Sequence, residues 1–397
     1  MALPLDGVRI LDFSRYQQGP YATVMLGDLG AEVWKVEDPG AGDFGRRMWR
    51  EKNGYSGFWE SLNRGKRSIC LDLRRPEGVS AALDLSASCD IVVENFRPGV
   101  MAGWGLDYEA FRTRNPRIIY AQATGWGTEG PMATEPSFDQ IAQAHSGFAL
   151  HSGGGPGHRP EIPFPGVADQ TGAMNLAFAM MTALYVRERT GIAQRVEVSL
   201  YGTQLALQAT ELQHALYFGE ERPRELRASP TVGQYQCSDG KWIMIVGIDQ
   251  KFWPRLCSAL GLSPEIEAHE RYARGFGRWS NRAELEPIIE DAFARQPSDH
   301  WMARLRDADH PATVVREYAE VAEDPQALAN GYIVEQDHPK FGRSKVLGLH
   351  IKLDETPGRV GAAAPELGAD TVAVLQLAGL SEARIQALLD SGVAAQS

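Results

Sequence analysis

Apolar residues in this chain come in short runs, separated by stretches where they recur every three or four positions. Residues 8–13 form the first run, closed by the polar loop Ser14-Arg15-Tyr16-Gln17-Gln18-Gly19-Pro20; residues 21–29 then carry helical spacing and residues 32–36 resume a strand pattern. That is a βαβ unit. The alternation continues with a helix at 77–86, a strand at 91–93, a helix at 108–113 and a strand at 118–121. Strands alternating with helices predict an α/β fold with a doubly wound, mostly parallel sheet, whose ligands sit beyond the carboxyl ends of the strands.

Residues 169–189 read as one long helix rich in Ala, Met and Leu, followed by a strand at 195–199 and one helix from 200 to about 218. The style then changes. Residues 220–227 are charged and contain proline, as a linker would be, and residues 233–246 center on Ser238-Asp239-Gly240, a hairpin turn. A large Rossmann-like domain is expected over 1–225 and a smaller α+β domain over 226–318, built from the hairpin and helices at 252–260 and 282–294. The segment 319–397, with residues 346–353 and a helix at 370–377, is expected to return to the large domain. A length of 397 residues agrees with two cores rather than one.

Composition narrows the function. The 40 Lys and Arg against 51 Asp and Glu leave a net charge of −11, so no whole-chain field draws the protein to nucleic acid or to an anionic membrane. A polyanionic ligand must be held by a local cluster of cations. The N-terminus lacks a signal-peptide pattern and no stretch reaches the roughly 18 apolar residues of a membrane span, which predicts a cytoplasmic protein. The four cysteines (Cys70, Cys89, Cys237, Cys257) lie far apart, without the Cys/His spacing of a metal site. Reduced thiols and no bound metal are expected.

Three loops could carry chemistry. The first, residues 16–20, stands where a doubly wound sheet binds its ligand but lacks the GxGxxG of a dinucleotide site; Glu37, where a ribose-binding acid would stand, has no glycines to support it. The second and third are Asn63-Arg64-Gly65-Lys66-Arg67-Ser68 with Asp72-Leu73-Arg74-Arg75, and Glu94-Asn95-Phe96-Arg97-Pro98-Gly99. Both place cations beside strand ends, where guanidinium and ammonium groups suit phosphate and Phe96 offers a flat face to a nucleobase. Solvated surface charge is the competing explanation.

Asp169 stands in Phe164-Pro165-Gly166-Val167-Ala168-Asp169 at the predicted start of the long helix, in the position of an N-cap. Capping and nucleophilic catalysis are compatible there, because a helix N-terminus favors the carboxylate anion. No GxSxG elbow, GxxxxGK[ST] loop or HExxH helix is present. The glycine run at 153–157 follows a helix pattern and reads as a flexible loop that covers a site. Trp49, Trp59, Trp126, Phe138 and Phe148 suit a medium-sized or aromatic ligand group, although aromatics also build cores.

Together these segments resemble the family III CoA-transferases, the group containing formyl-CoA transferase and the carnitine and bile-acid CoA transferases. The markers run in order through most of the chain: Pro4-Leu5-Asp6-Gly7, Gly30-Ala31-Glu32-Val33, Lys35-Val36-Glu37, the 63–68 and 71–73 segments, the 94–99 segment, Asn115-Pro116-Arg117, Gly125-Trp126-Gly127 and Gly130-Pro131. The resemblance implies that Asp169 forms covalent intermediates and that Gln17 orients them. It further implies that Tyr16, Gln18, Leu71, Arg74, Asn95, Phe96 and Arg97 line the CoA site, with Phe138 near the acyl group; Trp49, one of the aromatics above, is a second candidate substrate contact. CoA and acyl-CoA are then substrates, with a small carboxylic acid as the second partner, no tightly bound cofactor, and an interlocked homodimer as the assembly. Asp38, Gly103 and Thr124 replace cations of formyl-CoA transferase, and only Gly233 remains of its glycine-rich loop, so the phosphate contacts differ and a small oxalate-like substrate is disfavored. The related α-methylacyl-CoA racemases carry a His where this chain has Phe138, which leaves that alternative without its second acid/base. A non-catalytic acyl-CoA-binding protein on the same fold is the rival from another class.

Overall fold

The computed structural model describes residues 2–49, 55–164, 166–220 and 228–397. The chain falls into two compact units: Met1–Gly153, Pro160–Glu221 and Pro325–Ser397 make one, and Gly154–Arg159 with Arg222–Asp324 make the other. From residue 221 onward the expected linker at 220–227 lies outside the described residues.

In the first unit β1 (Arg9–Asp12), β2 (Glu32–Glu37), β3 (Arg67–Leu71), β4 (Ile91–Glu94), β5 (Ile119–Thr124) and β6 (Arg195–Ser199) pair in parallel in the order 3-2-1-4-5-6. The two-residue strand Ala394–Ala395 adds an antiparallel edge beside β3. This is the doubly wound topology read from the alternation of strands and helices. Consecutive strand residues feed opposite layers, as a pleat requires. Ile10, Val33, Ile91 and Val93 pack with Ala173, Leu176 and Met180 of the long helix Val167–Thr190. Leu11, Trp34, Ile69 and Val92 pack on the other side with Leu85 and Leu375. Strand order reverses between β1 and β4, so the loops after these strands frame the crevice where such sheets bind ligands.

Two elements depart from the sequence expectation. The single helix expected at 200–218 is two helices, Leu200–Leu207 and Ala209–Phe218, broken at Gln208. There the Gln208 Nε2 donates to the carbonyls of Ser146 (3.2 Å) and Gln204 (2.9 Å), and helical spacing on both sides of the break conceals it. Asp169 is not the N-cap of the long helix. Gly166 holds that position at φ 99°, and Asp169 is the third helical residue. Capping is supplied from a distance by Asp139, described below.

In the second unit β7 (Val232–Gln236), β8 (Trp242–Val246) and β9 (Ala312–Val314) form an antiparallel sheet. Its core joins Tyr235, Ile243, Trp253, Phe293 and Trp301, with Tyr235 stacked on Phe293 at 5.2 Å. The hairpin turn also caps a neighboring helix, since Asp239 accepts from the Ser298 amide (3.0 Å) and hydroxyl (2.7 Å). Back in the first unit, β10 (Ile333–His338) and β11 (Gly342–Leu347) form a hairpin before the helix Thr371–Leu377.

Candidate active site

Asp139 opens the short helix Asp139–His145 and aims its carboxylate at the head of the long helix. Its Oδ1 accepts from the amides of Ala168 (2.7 Å) and Asp169 (3.1 Å), and its Oδ2 accepts from the Gly166 amide (2.8 Å) and the Gln143 carboxamide (2.6 Å). The positive end of the long helix is thereby spent on Asp139. Asp169, half-buried, gains little from it: burial, and then the charge of Asp139, push its carboxyl up to about 7. The amides named here are engaged and do not serve as free oxyanion donors. Sequence reasoning missed Asp139, which stands 27 to 30 residues from the amides it caps; its one signal was an acid opening a helix just before the glycine-rich stretch.

Two glutamines approach the same head. A Cβ at Gly166 would come within 2.7 Å of the Gln17 Nε2, and one at Gly172 within 2.7 Å of the Gln18 Nε2. Both approaches fall between the N-cap and the second turn of the long helix, the same end that carries Asp169. Gln18 is buried, and its Nε2 has no partner among the described residues.

The loop that carries these glutamines is gripped residue by residue. Asp12 accepts from the Ser14 amide and hydroxyl, and Lys35 donates to the Ser14 carbonyl. The Asn95 carboxamide holds both backbone groups of Arg15, each at 2.7 Å, across the gap between β1 and β4. Asp43 accepts from the Tyr16 amide at 3.4 Å and pairs with Lys35 at 2.9 Å. Tyr16 itself adopts φ 62°, unusual for a non-glycine residue and held here by its surroundings. Its ring meets Phe44 at 5.7 Å and Phe138 at 5.9 Å, so Tyr16 and Phe138 do come together. Trp49 packs instead edge-on to Phe58 at 5.3 Å.

Most cations read from the sequence as phosphate ligands have structural partners. Lys66 is buried and bonds Asp12 (2.9 Å), and Arg64 is buried against Asp28. Arg67 pairs with Glu32 at 3.3 Å. Burial opposes the charge on Asp12, but Lys66 and Lys35 outweigh it and hold its carboxyl near 2. The acids that neutralize them come from other elements, Asp12 from β1, Asp28 from the helix after it and Glu32 from β2, which no local pattern reveals.

Beyond the strand ends lies a cavity of about 230 Å³, lined by Phe13 and Arg15 after β1, residues 36–38 at the end of β2, residues 71–74 after β3, and Phe96 and Trp104 after β4. Leu71, Arg74 and Phe96 line it; Arg97 is exposed and does not. The Glu94 carboxylate, pushed up to about 7 by burial, accepts from the Phe96 amide at 2.7 Å and so fixes that ring's backbone. Among the described residues no group of acids, histidines and cysteines is arranged to hold a metal ion, and no helix is long and apolar enough to cross a membrane. All four cysteines are buried and unpaired.

A doubly wound sheet, a carboxylate at the head of a helix and a cavity at the strand ends together have the layout of an α/β enzyme. The chain belongs to CoA-transferase family III, which matches it over residues 5–371. It is 34% identical over 399 residues to a succinyl-CoA:glutarate CoA-transferase of Mus musculus, covering 99% of this chain and 91% of that protein. An acetyl-CoA:oxalate CoA-transferase of Acetobacter aceti is 32% identical over 369 residues, covering 90% and 92% respectively. Among solved structures, a CAIB/BAIF family protein from Brucella suis superimposes with a TM-score of 0.84 at 30% identity, covering 95% of this chain and all of that one.

Proposed function

We propose that this CoA-transferase moves coenzyme A from an acyl-CoA donor to a carboxylic acid acceptor through covalent intermediates on Asp169. The Asp169 carboxylate attacks the thioester carbonyl, the C–S bond breaks, and an acyl-aspartyl anhydride and CoA thiolate result. The thiolate then attacks the aspartyl carbonyl, which releases the donor acid and leaves an aspartyl-CoA thioester. The acceptor carboxylate attacks that thioester, expels the thiolate and forms a second anhydride. Thiolate attack on the acceptor's carbonyl completes the cycle and regenerates Asp169. Protons balance throughout without an added acid or base, so the protein's part is to hold, orient and stabilize the oxyanions.

The observation that carries this reading is the environment of Asp169. Its carboxyl is half-buried, its helix amides are committed to Asp139, and its pKa stands near 7. An anion so poorly compensated is a stronger nucleophile than an ordinary aspartate. Gln17, pressed on Gly166, supplies a carboxamide donor for the oxyanion at the same head. The cavity at the strand ends, with Leu71, Arg74 and Phe96 in its lining, would take the nucleotide of CoA. Tyr16 and Phe138 form an apolar wall suited to the acyl chain, while Asn95 acts through Arg15's backbone. The curated relatives, with acceptors as different as glutarate and oxalate, leave the size of the acid acceptor open.

A second copy of the chain fits the exposed apolar residues of the first unit. Phe178 and Tyr185 on the long helix, and Leu216, Tyr217 and Phe218 on the next, are all more than 60% exposed, and the helix Ala209–Phe218 buries no residue. Surface of this kind calls for a partner, in keeping with a homodimer.

Turnover of Asp169→Ala tests the mechanism. With succinyl-CoA, or acetyl-CoA, and a panel of carboxylic acids, wild type should transfer CoA to at least one acid, and the variant should lose at least about 1,000-fold in kcat. Full turnover by Asp169→Ala on a proven donor and acceptor pair would refute it.

A further inference from the structure

Among the described residues the cavity at the strand ends is lined by two guanidinium groups, Arg15 and Arg74, and they are not equally free. Arg74 is divided between Asp72 at 2.7 Å and Asp38 at 3.2 Å, so its charge is already met. Arg15 forms no ion pair among the described residues. Its guanidinium rests 5.0 Å over the ring of Phe96, whose edge meets Trp104 at 5.2 Å. Its backbone, by contrast, is pinned on both sides by Asn95. The residue is thus a fixed base with a free arm, standing at the point where strand order reverses.

We propose that Arg15 is the phosphate anchor for the nucleotide end of CoA. In the free chain its guanidinium is parked on Phe96; on binding it turns to the phosphate oxygens, and the uncovered ring receives the adenine. The proposal rests on the CoA-transfer reading above and goes beyond it in assigning the charge that holds the nucleotide. Three considerations support Arg15. The chain as a whole is acidic, so a multiply charged ligand needs a local cation whose charge is not already met. A planar guanidinium matches two phosphate oxygens at once, and a charge-assisted pair of that kind outweighs a half-exposed stacking contact. Finally, two other cations near β3, Arg64 and Lys66, are buried in ion pairs with Asp28 and Asp12.

Steady-state kinetics with one acyl group carried on CoA, on dephospho-CoA and on pantetheine tests this. For Arg15→Ala, KM for acyl-CoA should rise about 10- to 100-fold while kcat stays within about 2-fold. With acyl-pantetheine, which lacks the nucleotide, variant and wild type should have the same KM. Acyl-dephospho-CoA then assigns the contact: an effect matching that on acyl-CoA places it at the pyrophosphate, and an effect matching that on acyl-pantetheine places it at the 3′-phosphate. Arg15→Lys should recover part of the loss and Arg15→Gln, which keeps polar bulk without charge, none of it. Arg74→Ala should cost less than Arg15→Ala. Equal losses on acyl-CoA and acyl-pantetheine in both the Ala and Gln variants, or an unchanged KM for acyl-CoA, would overturn the assignment. Mass spectrometry of wild type keeps the two readings apart: an adduct on Asp169 with an unaltered Arg15→Ala KM refutes the anchor alone, whereas a missing adduct refutes the transfer mechanism.

Discussion

Asp169 stands three residues into a helix whose leading amides are already taken, and that one fact sets its chemistry. A carboxylate given those amides would titrate low; this one, half-buried and beside Asp139, is pushed up to about 7. Two consequences follow at this scale. In the unliganded enzyme kcat/KM should rise with pH through about 7, as the nucleophilic anion forms, which a pH–rate profile with a substrate that does not titrate there would reveal. Asp139→Asn removes the neighboring charge and one capping oxygen. Its profile should shift to lower pH, and chemical denaturation should find a loss of about 1 kcal/mol. An unshifted profile would mean that Asp139 exerts no electrostatic hold on Asp169.

Among the elements, the loop after β1 depends on partners drawn from β2, the segment after β2 and the loop after β4. The Lys35–Asp43 pair is fully buried and grips Ser14 and Tyr16, one on each side of Arg15. Lys35→Met should therefore destabilize the chain by about 3 kcal/mol or more, because Asp43 is left as a buried charge without its cation; a urea titration measures it. Gly166→Ala acts on the same loop from the other side. It forces a side chain into φ 99° and toward Gln17, and kcat should fall at least about tenfold. How far such features can be read from sequence differs by element. The β4 run was legible because residues buried on both faces of a sheet leave a continuous apolar stretch, and β1, β2 and β5 because their apolar residues cluster in short runs between helical spacings. The loop's role was legible only as a position. Lys66 and Asp12, 54 residues apart, and Asp139 and the helix it caps are joined by the fold alone, and the break at Gln208 sits inside an unbroken helical pattern. Charged residues near strand ends looked like ligand contacts, and their burial depended on acids that local spacing does not show.

For the whole molecule, stability and assembly can be tested independently of activity. Asp169 and Glu94 both have carboxyls raised to about 7. Between their unfolded values near 4 and that point, the folded chain keeps protons that the unfolded chain has lost. Their contribution to stability is therefore intact at low pH, is lost as pH rises through about 7, and stays lost above it. The difference in Tm between Asp169→Asn and wild type should grow in the variant's favor from pH 5 to pH 8. The exposed apolar residues of the first unit predict a homodimer in light scattering, and Phe178→Glu with Leu216→Glu should shift it toward monomer.

The central claim is a covalent bond to one side chain, and trapping that bond is its most direct test. Wild-type enzyme incubated with acyl-CoA, quenched with hydroxylamine and digested should yield a single modified peptide whose added mass maps to Asp169. Modification at any other residue, or none in an enzyme that turns over, would contradict the account.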